Sequence, residues 1–498
     1  MNKKAVAYTL GNLLLCVAVA LLAPLLIAAY YARAHGEGDL MAFVWTVVVT
    51  VAAGLILRYT CRTEPDLHNR EGFAVVALGW MVTALFGALP FFFFGAFRAE
   101  GRGVVDEFVF CYFESMSGFS TTGATVLEDI EWLPHGILFW RSLTHWLGGM
   151  GIVVLAVAIL PMLGVGGMQL YRAEAPGPQT DRLTPRIAST AKLMWGVYVL
   201  ISGVEFLLLW IGGMTAFDAA CHAFGTMATG GFATKNASIG HYDSVYFDVV
   251  ITVFMMLAGT NFALHYRALR GDIGAYWRDT EFRFYAFMYT LCVGLIMWNT
   301  LTSVGGAEPV YDHGGKALQY STFQVAAIVT TTGYGTADFE VWPALSQVLL
   351  VMMMFFGGCA GSTGGGMKHV RFLLLIKHGY TEIKRLIMPR AVLPIRLGDR
   401  VVAPDLIRNI LGFFFLFLGS VTIATLVMAA LGLDVVTAFT CVVATIFNIG
   451  PGLGTVGSTD NYAHIPALGK CVLSFCMVVG RLELYTVLVL FAPQLWKR

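Results

Sequence analysis

The sequence predicts an all-α polytopic membrane protein in which two N-terminal spans precede four tandem span–half-helix–loop–span repeats. Three observations predict it. Of 498 residues, 57% are apolar and 13% charged, with a mean hydropathy of +0.71; soluble domains carry roughly 25% charged residues. Apolar stretches of spanning length recur from one end of the chain to the other. A short turn rich in Gly, usually with Thr, returns at intervals of about one hundred residues, the mark of a repeated substructure. Together these exclude a single water-soluble globule and a disordered chain, although the length alone would hold about three soluble domains. The net charge of +1 gives no basis for a nucleic-acid partner. The nine cysteines show no CxxC spacing, and all but Cys61 lie within apolar stretches. They read as small buried hydrophobes rather than disulfide or zinc partners.

A spanning helix needs roughly 20 apolar residues. Ala5–Tyr31 and Met41–Leu57 qualify, and the first is too long for a signal-peptide core. Further spans are predicted over 72–97, 137–163, 187–213, 243–265, 284–304, 343–376, 405–432 and 465–493, giving about ten. Four shorter apolar stretches lie between them: Glu107–Phe119, Ala216–Ala228, Ala317–Val329 and Val435–Phe447. They are too short to cross and long enough for re-entrant half-helices, and Asp106, Asp218 and Asp434 stand at the N-cap side of three. Arg and Lys crowd segments 58–71, 164–192, 266–283 and 377–408. The positive-inside bias makes those cytoplasmic. Both termini, with Lys3, Lys4, Lys497 and Arg498, are then cytoplasmic, and the half-helices enter from outside. The divisions are 1–70 for the extra spans and 71–170, 171–275, 276–395 and 396–498 for the repeats.

Each half-helix runs into a Gly turn: Ser120 to Thr125, Met227 to Phe232, Thr330 to Gly335 and Phe447 to Gly452. Aligning Gly123, Gly230, Gly333 and Gly450 gives spacings of 107, 103 and 117 residues. Irregular backbone at membrane depth is tolerated where it lines a watery path or is buried in protein. Four such turns around one pore satisfy that rule with a single construction. Glycine lets successive carbonyls aim inward, and a ring of carbonyls replaces the hydration shell of a monovalent cation. The half-helix C-termini add partial negative charge. The third turn, Thr332-Gly333-Tyr334-Gly335, comes close to the T-V-G-Y-G filter of potassium channels. The K+-binding filter candidates are Thr121, Thr122 and Gly123; Ala228, Thr229 and Gly230; Thr331, Thr332 and Gly333; and Asn448, Ile449 and Gly450.

With these turns, the stretches Trp140–Gly151, Tyr171–Pro178, Gly357–Lys368 and Gly480–Leu484 make nearly the whole chain resemble the Trk/Ktr/HKT superfamily of cation transporters. Within it, the two extra N-terminal spans resemble the Trk-type (TrkH-like) bacterial potassium uptake subunits. The resemblance implies K+ as the transported ion and a place in the bacterial inner membrane. It also implies a homodimer with one pore per protomer. The implied partner is a cytosolic nucleotide-binding regulatory ring (TrkA-like), the nucleotide sitting on that partner alone. No covalent cofactor is implied. Gly at the first filter position, here Gly123, goes with potassium preference, whereas Ser there goes with sodium. Ala228 and Phe232 depart from the family pattern in the second turn.

Segment 343–376 is too long for one span and holds Gly357, Gly358, Gly361, Gly364, Gly365 and Gly366 in its middle. Each Gly costs a helix roughly 1 kcal/mol relative to Ala, so the helix is expected to break around a mobile loop. A phosphate loop lacks its Gly-Lys-Ser/Thr ending here; a small-residue helix contact is the other alternative. The resemblance implies an intramembrane gate. Arg481 lies in an apolar run whose only other charge is Glu483, two residues away and so on another helix face. It reads as a cationic barrier below the filter, touching the Gly-rich loop. Lys368 and His369 at the loop's inner end either snorkel or take part in gating. Glu114 is expected to support the filter through local hydrogen bonds, and His145 and His222 to pack between helices. The basic loop Lys377–Arg408 meets anionic lipid and offers a docking surface. The rival function is a carrier of K+ or Na+ coupled to H+ or Na+, for which Glu205 is the candidate carboxylate, a local hydrogen bond being its simpler role. No nucleophile–base set points to an enzyme.

Overall fold

The computed structural model describes residues 1–63, 69–99, 101–154, 187–302, 309–398 and 400–496. The Tyr171–Pro178 stretch, Arg172, Arg182 and Arg186, the end of the 137–163 span, and Lys497 and Arg498 lie outside the described residues. The fold is helical; its only strands among the described residues are the two-residue pair Arg396–Leu397 and Arg400–Val401. Among the described residues six helices are long and apolar enough to cross a membrane: Lys3–His35, Leu40–Thr60, Arg70–Phe94, Ala191–Ile211, Thr280–Leu301 and Pro404–Ala430. Their outer faces carry Leu26, Phe415 and Ile423 exposed, the inverted surface that a lipid solvent allows.

Two expected spans are bent. Val245–Ala258 meets Phe262–Leu269 at 105°, and Ala467–Arg481 meets Tyr485–Phe491 at 115°. Arg481 therefore ends a helix rather than standing in the middle of one. The 343–376 segment is broken into Ala344–Met354 and His369–Ile387 with the Gly-rich loop between. His135–Val154 follows the first half-helix.

The N-terminal hairpin closes on small residues. A Cβ at Gly11 would stand 2.9 Å from the Gly54 carbonyl oxygen, so the two backbones nearly touch. In the connection between the two extra spans, the buried Asp39 faces the N–H groups of Gly136 and Ile137. Burial raises its carboxyl above the usual range and those donors pull it back. Glu37 accepts from the His135 backbone N–H at 2.8 Å and meets its ring at 2.6 Å. The extra spans thus hold the start of the helix that follows the first turn.

The half-helices run Val104–Phe119, Ala216–Met227, Gly314–Val329 and Val435–Ile446. Only Asp434 is an N-cap, its Oδ2 accepting from Val436 and Thr437 N–H. Asp106 and Asp218 lie inside their first turns, where a carboxylate complements the helix dipole; Gly103 and Thr215 take the caps. The fourth half-helix, VVTAFTCVVATI, is mostly β-branched, a weak intrinsic helix former. Burial holds it: Thr437 through Ile446, apart from Phe439, are buried. Of the cysteines, Cys16 and Cys471 are exposed and Cys61 half-buried, contrary to the buried role expected for all nine; an apolar stretch turned toward lipid exposes the first two.

Candidate functional site

All four half-helices end in one geometry. The chain passes through a left-handed residue, at Thr121, Thr229, Thr331 and Asn448. The next N–H reaches back five residues, from Thr122 to Ser117 at 2.9 Å, and at 2.8 Å from Gly230 to Gly225, Thr332 to Ala327 and Ile449 to Ala444. This is the Schellman ending, which normally uses Gly at the left-handed position. A second left-handed residue follows, always glycine: Gly123 (φ 80°), Gly231 (80°), Gly333 (77°) and Gly450 (100°).

That geometry corrects the second turn by one residue. Gly231, not Gly230, is the counterpart of the other three, and Ala228 is the helix-capping residue before the turn. The consecutive pair Gly230-Gly231 hid the choice. Aligning the threonines two places earlier (Thr121, Thr229, Thr331) would have made it. In the corrected register Phe232 stands where Tyr334 stands, so the second turn departs less from the others than the first alignment implied.

The four turns close into a ring. A Cβ on Gly123 would collide with the Gly230 carbonyl oxygen, one on Gly231 with that of Thr332, and one on Gly333 with that of Ile449. A Cβ on Gly450 would stand 2.8 Å from the Thr122 carbonyl oxygen. Each turn thus packs its bare glycine on the next turn's peptide. Gly123, Gly231, Gly333 and Gly450 all line one vestibule of about 110 Å³, with Glu128, Lys235 and Asp460 also in its wall.

Behind the first two turns lies a buried ion pair. Glu114 accepts from Arg141 Nε at 2.6 Å, from Thr125 Oγ1 at 2.9 Å and from the Val126 N–H at 2.9 Å. Arg141 also donates to the Ala233 carbonyl at 2.9 Å and lies over the Phe232 ring, 3.7 Å from its centroid. Glu114 is thus bonded behind the turns as expected; its partner Arg141 was not foreseen. Removing one member of a buried pair leaves an unpaired charge, which costs about 3–5 kcal/mol. Arg141→Met is expected to lower the unfolding temperature in detergent sharply, while Arg408→Met, in a pair with Asp405 exposed on both sides, leaves it nearly unchanged.

His145 stacks on Phe232 at 4.1 Å and lies beneath Gly230, so it wedges the second turn rather than merely packing between helices. His222 Nε2 contacts the Tyr242 hydroxyl at 3.2 Å, and its carbonyl accepts from Tyr334 at 3.1 Å. Glu205 is fully buried beside the Thr226 side chain, which is its hydrogen-bonding neighbour.

The Gly-rich loop fills the space at the inner ends of the half-helices. It is pinned by a dense set of bonds rather than loose. Thr363 Oγ1 donates to the Met227 carbonyl at 3.0 Å, Cys359 N–H to Gly259 at 2.8 Å and Gly357 N–H to Met367 at 2.9 Å. The Phe262 N–H reaches the carbonyl of Gly361, whose φ is +74°. Gly358 packs on Gly259, Gly364 on Gly358, and Gly366 on Gly357. Gly365 lies against Phe447 and Asn448. Lys368 Nζ turns back onto the Gly364 carbonyl, which is not a snorkelling pose. Fully buried His369 packs its ring on Tyr285, 5.1 Å away. Arg481 donates to the Thr363 carbonyl at 2.7 Å and to that of Gly148 at 3.1 Å. Glu483 pairs instead with Arg371 at 2.5 Å. Glu281 accepts from Ala360 and Val370 N–H at 2.9 and 3.0 Å, bracing both ends of the loop. Sequence reading missed Glu281 and Arg371, because their partners lie far away along the chain. Among the described residues no group of three His, Cys, Asp or Glu is placed to hold a metal ion.

A family model described as a cation transport protein, TrkH, matches residues 39–498. The chain is 44% identical to the Trk system potassium uptake protein TrkH of Salmonella typhimurium and 43% identical to that of Escherichia coli, each over the full length of both chains. It is 34% identical to the Escherichia coli protein TrkG over 99% of both chains. The crystal structure of the potassium transporter TrkH from Vibrio parahaemolyticus superposes with a TM-score of 0.88 at 36% identity, covering all of both chains.

Proposed function

Since this chain belongs to the TrkH family of cation transport proteins, we propose that it takes up K+ across the bacterial inner membrane through a channel-like path between its four turns. The observation that carries this reading is the closed ring in which each turn's glycine abuts the carbonyl of the next. Peptide oxygens so arranged replace a cation's water shell, and four half-helix C-termini add negative potential at the same place. The filter triplets are Thr121-Thr122-Gly123, Thr229-Gly230-Gly231, Thr331-Thr332-Gly333 and Asn448-Ile449-Gly450. The Gly-rich loop is the gate, latched by Lys368 and Arg481, and the guanidinium is a barrier to cations below the filter.

The family's name for its relatives, a Trk system, supports partner subunits. In this reading the protein is a homodimer under a cytosolic nucleotide-binding ring. The helix His369–Ile387 and the segment after it present exposed Ile383, Leu386 and Val392 beside Lys384, Arg385 and Arg390. That face suits anionic lipid or the ring. Both termini are cytoplasmic.

The test is Rb+ or K+ entry into proteoliposomes with no second ion gradient imposed. Entry supports the channel reading. Entry only with a H+ or Na+ gradient, lost in Glu205→Gln, supports the coupled carrier, which the buried Glu205 carboxyl keeps in view. A second prediction concerns selectivity. The new Cβ in Gly123→Ser presses on the Gly230 carbonyl, and the Gly230-Gly231 peptide has no Cβ on either side to restrict its dihedrals. The ring widens without collapsing, so Na+ passage relative to K+ is expected to rise roughly tenfold, an energy difference of about 1.4 kcal/mol, read from reversal potentials. Unchanged relative permeabilities contradict the filter assignment.

A further inference from the structure

The loop and the turns are joined by a bond whose position matters. The Gly365 N–H donates to Thr331 Oγ1 at 2.6 Å. Thr331 is the left-handed residue that opens the third turn, at φ 62°. A β-branched residue is a poor choice for that conformation, and Gly would close the helix with less strain. The hydroxyl is what Thr supplies that Gly does not. The same position carries Thr121, Thr229 and Asn448 in the other turns, so the repeat puts one side-chain oxygen at the equivalent place in each turn, a layer two residues ahead of the ring glycines. Two of them, Thr121 Oγ1 and Asn448 Oδ1, are buried and have no hydrogen-bond partner among the described residues. Buried oxygens are ordinarily paired. The loop reaches this layer at a second point as well. A Cβ on Gly365 would stand 2.6 Å from the Phe447 carbonyl oxygen and 3.1 Å from Asn448 Oδ1.

We propose that this layer is a regulatory site for the permeant cation, in which a partly dehydrated K+ or Rb+ and the Gly365 N–H compete for Thr331 Oγ1. Resting on the reading of the turns as a potassium path, the proposal adds that the transported ion is itself a ligand of the gate. With the layer empty, the N–H, a positive dipole end, takes the lone pair and the loop stays latched. A cation held by Thr121 Oγ1, Asn448 Oδ1 and Thr331 Oγ1 claims the same lone pair and repels that N–H. Cation in the layer and loop in its latch are therefore alternatives, and a ligand that binds only one of two states shifts the population toward it. Thr331 is a positioning residue for the gate as well as a filter residue.

The experiment is open probability in planar bilayers against K+ concentration on both sides, without a regulatory partner. The wild-type protein and Thr331→Ser, which keeps the hydroxyl, should open more as K+ rises. Thr331→Val keeps the shape and loses the acceptor. Its basal open probability should rise roughly fivefold, the worth of one buried hydrogen bond, and its K+ dependence should disappear. A purely structural role for Thr331 would change conductance without flattening that dependence. Gly365→Ala provides a second route, since its Cβ meets the Phe447 carbonyl and the Asn448 side chain and drives the loop off them without replacing any filter residue. It should open independently of K+ while keeping the wild-type K+/Na+ permeability ratio. Either variant retaining the wild-type K+ dependence, or a conducting wild-type protein with none, overturns the proposal. A wild-type protein that passes no K+ overturns the filter reading itself, and this proposal with it.

Discussion

Gly333→Ala is expected to lower K+ uptake at least a hundredfold, about 2.8 kcal/mol in the barrier at 1.4 kcal/mol per decade, while the protein still reaches the membrane. Gly333 sits at φ 77°, where a Cβ costs roughly 1–2 kcal/mol. The new methyl would also collide with the Ile449 carbonyl and stand 2.8 Å from Pro451 Cδ. Neither neighbour can give way easily. Ile449 is fully buried and Pro451 has a fixed φ, unlike the Gly230-Gly231 pair that faces Gly123. The fourth turn's carbonyl must leave the ring, and an ion that has shed its water meets one side without an oxygen. Gly335→Ala is the control within the same turn. Its φ is not left-handed, and its Cβ would find only Ser458, at 3.6 Å. Rubidium uptake normalised to membrane protein separates the two variants; equal loss in both, or none in Gly333→Ala, removes the ring from the mechanism.

The contrast between Gly123 and Gly333 shows what a sequence can and cannot say about this site. The half-helices were legible because apolar runs too short to cross a bilayer have few other uses at membrane depth. Their boundaries held to within about three residues, the ordinary fraying of helix ends. The break at Gly357–Gly366 was legible for an energetic reason, since six glycines remove too much helix stability to ignore. The register of the second turn was not legible from its glycines. Gly230 and Gly231 are chemically identical, and only backbone φ separates the residue on the next turn's peptide from the one wedged by His145. Long-range polar partners were equally hidden. Glu114 announces a buried charge, but nothing in the local sequence says that Arg141, on the following helix, answers it. The same holds for Glu281, which braces a loop about eighty residues away along the chain. Arg481 was found as a lone charge, although its place at a helix end bent by 115° was not.

That bend gives Arg481 its leverage, and removing the side chain is the second large expected effect. Gly480 is pressed so close to the Ile446 carbonyl that any Cβ would collide with it. The chain end of Ala467–Arg481 is thereby forced beneath the fourth half-helix, and the guanidinium reaches across to two other elements. Nη1 holds the Thr363 carbonyl of the loop and Nη2 the Gly148 carbonyl of the helix after the first turn. Each charge-assisted bond of this kind contributes about 1.5–3 kcal/mol. Arg481→Met keeps the apolar stem and loses both, freeing the loop from the first repeat and withdrawing the positive charge from the proposed cation path. Basal K+ flux without any regulatory partner is expected to rise about ten- to a hundredfold, the equivalent of one such bond to the open-state equilibrium. Arg481→Lys should fall between, since an ammonium keeps the charge but cannot span two carbonyls as the planar fork does. That ordering separates latch from barrier. If charge alone matters, Lys behaves as wild type; if the two-point latch alone matters, Lys behaves as Met. Unchanged conductance and gating in Arg481→Met would show that the guanidinium is a structural strut, and the gate would then have to be sought among Lys368, Glu281 and the Arg371–Glu483 pair at the loop's other end.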